Sequence, residues 1–262
     1  MPMIRRPSIG PAGAARWVLI AQIEHARIAG ELAEQWGNGD FPPLSWCDEL
    51  LPAIFHHDHG WSEWDAAPEV DPASGVPFDF TEMPLGEALA IWRKSIAAAG
   101  RFGSLAAYVV SAHFTALLRR AAESNEHPPV WKNQAAEYLT EQDALQAAWM
   151  AEWRRGGEGR DAAAAAVALR WLQFFDGLSL WLCCRERSAP LTVEPPLGSP
   201  LTFTPRGAAI EVSHWPFAAG EVSLRVSGRS VPQARYLNRA KLAAATSAAT
   251  TVPWRLLPAT LP

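Results

Sequence analysis

The chain has 262 residues and a formal net charge of -4, so it can bury a core without disulfides and lacks the basic field that neutralising a nucleic-acid backbone requires. Its three cysteines, Cys47, Cys183 and Cys184, form no spaced framework, which points to a reducing, cytoplasmic setting. Thirteen Trp predict a rigid aromatic interior or a ring-lined pocket.

Met1 to Gly13 carries Arg5 and Arg6, and the apolar run that follows is broken by Gln22, Glu24 and His25 before it reaches the length of a signal core or a bilayer span. No targeting segment and no membrane partner are expected. Trp17 to Ile20 reads as extended, and a helix follows from about Gln22 to Trp36, stopped by Gly37 and Gly39. Ser45 with Asp48 has the capping-box spacing and opens a second helix that runs through Leu50, Leu51 and Ile54 to His57-Asp58, ending at Gly60, with Pro52 as a bend. Trp61 to Pro84 is too long and too aromatic for an ordinary connector and is expected to cover something.

Helices follow at about Gly86 to Ala99, Ser104 to Glu123, Asn133 to Trp153, and Asp161, a natural N-cap, to about Arg187. From Pro190 the text turns Pro-rich, with alternating runs at Ala209 to Val212 and Val222 to Val226, turn material at Ala219-Gly220 and Ser227-Gly228, an Ala-rich helix near Lys241 and a last strand around Trp254. The expected fold is mainly α: a helical bundle over residues 14–188 with a small β-rich C-terminal subdomain over 189–262.

Polar residues inside the apolar stripes of these helices carry the chemistry. His25 shares a face with Ile28, Ala29 and Leu32; His57 lies in line with Cys47, Leu50 and Ile54, with Asp58 at the edge; His113 sits among Val109, Val110 and Leu117; Asp176 sits among Leu169, Leu172 and Leu180. A carboxylate on an apolar face needs a counter-charge. Taken singly, each is most simply a hydrogen-bonded core residue. Taken together, one or two divalent cations would satisfy both carboxylates and all three imidazoles, and such mixed nitrogen and oxygen donors suit Fe, Mn, Zn, Ni or Co. His59 reads as loop-facing, His56 lies off the stripe, and His127 and His214 read as structural or solvated.

The order His25, His57-Asp58, Asp176 resembles the HD-domain superfamily of metal-dependent phosphohydrolases, over about Gln22 to Arg185. The stretches Leu19 to Ala26, His57 to Asp65, Ser111 to Phe114 and Phe175 to Leu180 also resemble an uncharacterised bacterial family that carries these four blocks in this order. The first likeness implies an HD-domain-like fold in which His25, His57, Asp58 and Asp176 bind a first metal and His113 recruits a second. It also implies a phosphorylated small-molecule substrate. Under that reading Asp58 bridges ions or orients the attacking hydroxide, Glu24, Glu63 or Asp65 assists proton transfer, and Arg27, Lys94 or Arg185 steadies the phosphate. Asp65 lies with Trp61 and Trp64 in the block that would form the substrate wall. Gly60-Trp61 and the long segment after the His-Asp pair depart from nucleotide-hydrolysing relatives, so the pocket wall is expected to differ from theirs.

Two other functions fit the same residues. One is an HD-like di-iron oxygenase; the other is a non-catalytic metal- or ligand-binding protein, which includes a metal-free polar network. The chain has no His-Glu-x-x-His pair, Gly-rich phosphate loop or Gly-x-Ser-x-Gly elbow, which argues against zincins, P-loop enzymes and serine hydrolases. A homo-oligomer is compatible with everything above.

Overall fold

The computed structural model describes residues 3–10, 13–123, 127–184, 189–207, 209–246 and 249–259. The chain opens with strands β1 (Ile4–Ile9) and β2 (Ala15–Ile20). Among the described residues seven α-helices follow: α1 (Gln22–Glu34), α2 (Cys47–His56), α3 (Ser62–Asp65), α4 (Leu85–Ala99), α5 (Ser104–Ala122), α6 (Pro129–Arg154) and α7 (Ala162–Cys184). The last part comprises β3 (Leu191–Val193), β4 (Leu201–Arg206), β5 (Ala209–Val212), β6 (Val222–Pro232), α8 (Arg239–Ala245) and β7 (Ala249–Pro258).

The expectation of a mainly α bundle with a small C-terminal β part is overturned. The described strands form one mixed seven-stranded sheet, curled into a half-barrel, in the order β1-β2-β6-β7-β5-β4-β3. Only the β5–β7 pairing is parallel among them. The N-terminal hairpin joins the C-terminal strands through β2 and β6, with Trp17 opposite Val231. The sheet thus draws on both ends of the chain.

Two features hid it in the sequence. In β1 the inward position after Ile4 is Arg6, which breaks the apolar alternation; it is buried, its Nη1 donates to the Leu182 carbonyl at 2.9 Å, and its guanidinium lies 5.4 Å from the centre of the Trp254 ring. Ser227-Gly228, expected to turn, lies inside β6 opposite Thr251 and Thr250. A Cβ on Gly228 would stand 2.5 Å from Val18 Cγ1 and 3.1 Å from the Leu19 carbonyl. That glycine serves the close approach of β2, not a turn.

The first half of β6 alternates strictly, burying Val222, Leu224 and Val226 and exposing Ser223, Arg225 and Ser227. The buried face packs with Val18, Phe203 and Trp254 against Ile28 and Leu32 of α1 and Trp171, Phe175 and Leu182 of α7, so sheet and helices share one apolar core. Trp36 lies near its centre, with the rings of Phe41, Trp171, Phe174, Phe175 and Phe217 edge-on at 5.1 to 5.9 Å. On the opposite face of the sheet, Leu19 and Val231 are covered by Leu242 of α8.

Two helix starts show when local signals win. Asp161 caps α7 as expected, accepting from the Ala164 N–H at 2.8 Å. The Ser45 and Asp48 capping box does not form: α2 begins after Trp46, which takes a left-handed φ of 60° and makes no side-chain cap. That backbone is unfavourable for a residue with a Cβ. Tertiary contacts hold it, with Trp46 edge-on to Trp153 at 5.3 Å and Arg160 5.6 Å from its ring centre.

The segment after Gly60 folds back over the helices and docks on the edge of the sheet. Met3 bridges to Asp79, and the Arg5 N–H donates to the Asp79 carboxylate at 3.1 Å. Among the described residues no helix is long and apolar enough to cross a membrane.

Candidate metal centre

Four packed elements deliver five ligand-type side chains to one place. His25 lies in the first turn of α1 and is buried with Ile28, Ala29 and Leu32. His57 closes α2 and Asp58 follows in the turn before a 3-10 segment, His59–Trp61. His113 and Asp176 sit inside α5 and α7. Helix α1 packs on α2 and α7, and α5 packs on α2 and α7, so the four elements face a common centre.

His25 Nε2 is 2.7 Å from Asp58 Oδ2 and 3.9 Å from Asp176 Oδ1. His57 Nε2 is 3.3 Å from Asp176 Oδ1 and 3.8 Å from Asp58 Oδ2. His113 Nε2 stands 3.9 Å from Asp176 Oδ2. His25, His57 and Asp58 offer ligand atoms within 4.8 Å of one another, and this buried trio could hold a metal ion.

The far nitrogens show how the rings are held. Ser179 Oγ donates to the Asp176 carbonyl at 2.9 Å, so its own proton is committed and it accepts from His25 Nδ1 at 2.9 Å. His57 Nδ1 donates to the Ile54 carbonyl at 2.7 Å. Both rings therefore turn Nε2 inward, the orientation that metal-ligating histidines take from a partner on the opposite nitrogen. His113 lacks this support, its buried Nδ1 having no hydrogen-bond partner.

Charge balance also favours a cation. Burial works against a proton on His57, yet the charge of Asp58 and the proximity of Asp176 outweigh it and push its pKa up to about 9. Burial alone would raise the Asp176 carboxyl, but the surrounding His57, His113 and His25 hold it well below the usual carboxylate range. Burial is the main cause of the lowered pKa of His113. A proton on His57 thus plays the part that a metal ion would play. The donor chemistry fits a transition metal, and His57 Nε2, buried without a hydrogen-bond partner, is the orphan that such an ion would satisfy.

The cluster opens on a cavity of about 170 Å³ whose wall includes His25, Asp58, His113, Asp176 and Trp61. Phe80, from the long segment after Gly60, closes one side. The other residues singled out in the sequence lie elsewhere. Glu24 is paired with Arg27 and accepts from the Ser227 N–H of β6. Glu63 and Lys94 form an exposed ion pair at 2.7 Å. Trp64 lines a separate shallow pocket with Glu63 and Arg239. Asp65 is buried and caps α1, accepting from the Gln22 and Ile23 N–H groups at 3.2 and 3.1 Å. Arg185 lies outside the described residues.

Sequence reasoning missed Ser179, which orients His25, and Gln22, which reaches the cavity wall. Their spacing could have found them, since Gln22 is three residues before His25 and Ser179 three after Asp176, each one helical turn along the same face.

Comparison with curated proteins and with solved structures finds no match to either. Compared with known families, residues 9–233 match the one described as Protein of unknown function (DUF3891). The chain, with its His and Asp cluster, belongs to that uncharacterised family.

Proposed function

We propose that the chain is a metal-dependent phosphohydrolase acting on a small phosphorylated substrate. The observation that carries the reading is the convergence of His25, Asp58, Asp176 and His113 at the wall of one cavity, with His57 directly behind them against Asp176. The likeness of their order to the HD-domain pattern supports it. A bound divalent ion would lower the pKa of water and polarise a phosphoryl oxygen. The protein's part is orientation: Ser179 and the Ile54 carbonyl fix two imidazoles, while Asp58 and Asp176 supply negative charge and stand within reach of a proton released in the cavity. Glu24 and Glu63 are engaged by Arg27 and Lys94, which leaves the two aspartates and His113 as the titratable side chains of the cavity wall beside His25.

A second reading rests on the wall itself. Among its described residues there is no Lys or Arg, and several are Trp or Phe, a surrounding that suits oxygen activation at iron better than capture of a polyphosphate.

The deciding test is elemental analysis of protein prepared without chelator, beside His57→Ala and Asp176→Ala, followed by phosphate release from p-nitrophenyl phosphate with added Mn. Near-stoichiometric metal lost in both variants, together with metal-dependent release, is the expected result. Bound metal without phosphate release, but with iron-dependent oxygen uptake, would move the assignment to the second reading. Wild type that takes up no Mn, Fe or Zn would end both.

A further inference from the structure

Gln22 is the first residue of α1, it is 1% exposed, and its Oε1 has no hydrogen-bond partner. It lines the same cavity as His25, Asp58 and Asp176. A buried amide oxygen left unpaired is costly, and native proteins keep few of them outside sites where a ligand or water completes the bonding. Gln22 Oε1 can accept from the hydroxyl of a monoprotonated acidic head, while its Nε2–H groups can donate to an anionic oxygen of the same head.

The remaining wall is apolar: Trp61, Phe80, Trp92, Phe114, Leu117 and Leu180 face the cavity. Its volume of about 170 Å³ has room for about half a dozen waters at ~30 Å³ each, well under the ~300 Å³ at which drug-sized ligand sites begin. No cationic side chain of the described wall is available for charge beyond what the metal centre neutralises. Of the cations singled out in the sequence, the two within the described residues are paired, Lys94 with Glu63 and Arg27 with Glu24.

We infer that this cavity takes a small ligand with a single anionic head at the His/Asp cluster and an uncharged apolar or aromatic body against the Trp and Phe wall, and that Gln22 is the residue that hydrogen-bonds and positions the head. The inference rests on the metal centre proposed above and narrows its substrate to short esters, excluding nucleotides. Gln22 is a positioning and specificity residue here, since it is not among the metal ligands.

The test uses the full chain loaded with Mn, its metal content read first, and calorimetric binding of phenylphosphonate, a head that cannot be hydrolysed on a small aromatic body, against adenosine monophosphate. Phenylphosphonate is expected to bind at least tenfold more tightly. Gln22→Leu should weaken it by roughly 10- to 100-fold, the span of one hydrogen bond to a charged group, with metal stoichiometry unchanged. Leu117 is 44% exposed and so can be enlarged without disturbing the core; Leu117→Trp should block phenylphosphonate yet leave methylphosphonate bound, and it keeps the test decisive if Gln22→Leu fails to fold. Equal affinity for the nucleotide overturns the inference. So does full affinity in both variants, or a metal-loaded protein that binds neither phosphonate. A wild type that takes up no Mn instead overturns the metal centre itself, so the two failures are told apart before any ligand is added.

Discussion

At the scale of single residues, support on the far nitrogen separates the three histidines. His25 and His57 have it from Ser179 and the Ile54 carbonyl, whereas His113 Nδ1 has none. A ligand held from behind loses little freedom on binding a metal. His113→Ala should therefore retain at least one metal per chain by elemental analysis, while Ser179→Ala, which frees the His25 ring, should weaken metal binding 10- to 100-fold, the range found for such orienting partners. Equal metal loss in His113→Ala and His57→Ala would contradict this ranking. Asp65 offers a second test through pH. Burial, aided by the charge of Asp58 and opposed by the Gln22 and Ile23 N–H groups, pushes its carboxyl from 3.8 up to about 7. Between those values the folded chain holds a proton that the unfolded chain has released, so this group's stabilising share is complete below pH 3.8 and is lost as pH rises through about 7. Metal-free wild type should lose Tm relative to Asp65→Asn across that window. Parallel Tm curves for the two proteins would show that Asp65 does not titrate there.

At the scale of elements, the site depends on how closely the 3-10 segment meets α4. A Cβ on Gly60 would stand 2.1 Å from the Ile91 carbonyl and 2.8 Å from the Ser95 N, both backbone atoms of α4, and the Gly60 N–H donates to Ser95 Oγ at 2.9 Å. Backbone cannot rotate aside as a side chain can. Gly60→Ala should lower stability by about 1–3 kcal/mol in a denaturant melt and shift its neighbours Asp58 and Trp61, weakening metal binding as well. An Ala variant with unchanged stability would mean that the two segments separate freely. The same position shows what could be read from sequence. Gly60 reads in the sequence as the end of α2, whereas α2 ends at His56 and Gly60 lies in the 3-10 segment after it; the stripes at helical spacing do place His25, His57, His113 and Asp176 on inward faces, because burial at 3.6 residues per turn leaves a periodic trace. Where contacts are long-range no trace exists: β1 was hidden by the inward Arg6, Gly228 by its resemblance to a turn, and the start of α2 by Trp46, whose left-handed backbone is held from Trp153. Ser179 and Gln22 carry no ionisable group, so the signal that could single them out was their one-turn spacing from Asp176 and His25 on the same helix faces.

At the scale of the molecule, the sheet binds the two ends of the chain into the structure that supports the site. Helix α1, which carries His25, starts directly after β2, and β2 pairs with β6. Glu24, one residue before His25, is tied to the Ser227 N–H of β6. On the other flank, Arg6 of β1 holds the Leu182 carbonyl of α7, the helix that carries Asp176. Removing the C-terminal strands would leave Val18, Ile28, Leu32, Trp171 and Phe175 without the Leu224, Val226, Phe203 and Trp254 surface that they pack against. Burial of a side chain of that kind contributes roughly 1.5–3 kcal/mol, and several such losses together exceed the ~5–15 kcal/mol that stabilises an ordinary domain. A chain ending at Cys184, although it retains His25, His57, Asp58, His113 and Asp176, should therefore fail to melt cooperatively and fail to retain metal, whereas the full chain should lose near-ultraviolet Trp signal and helix signal in one transition. A truncated chain that melts cooperatively with metal bound would show instead that the helices alone build the centre, and that the sheet serves some other purpose.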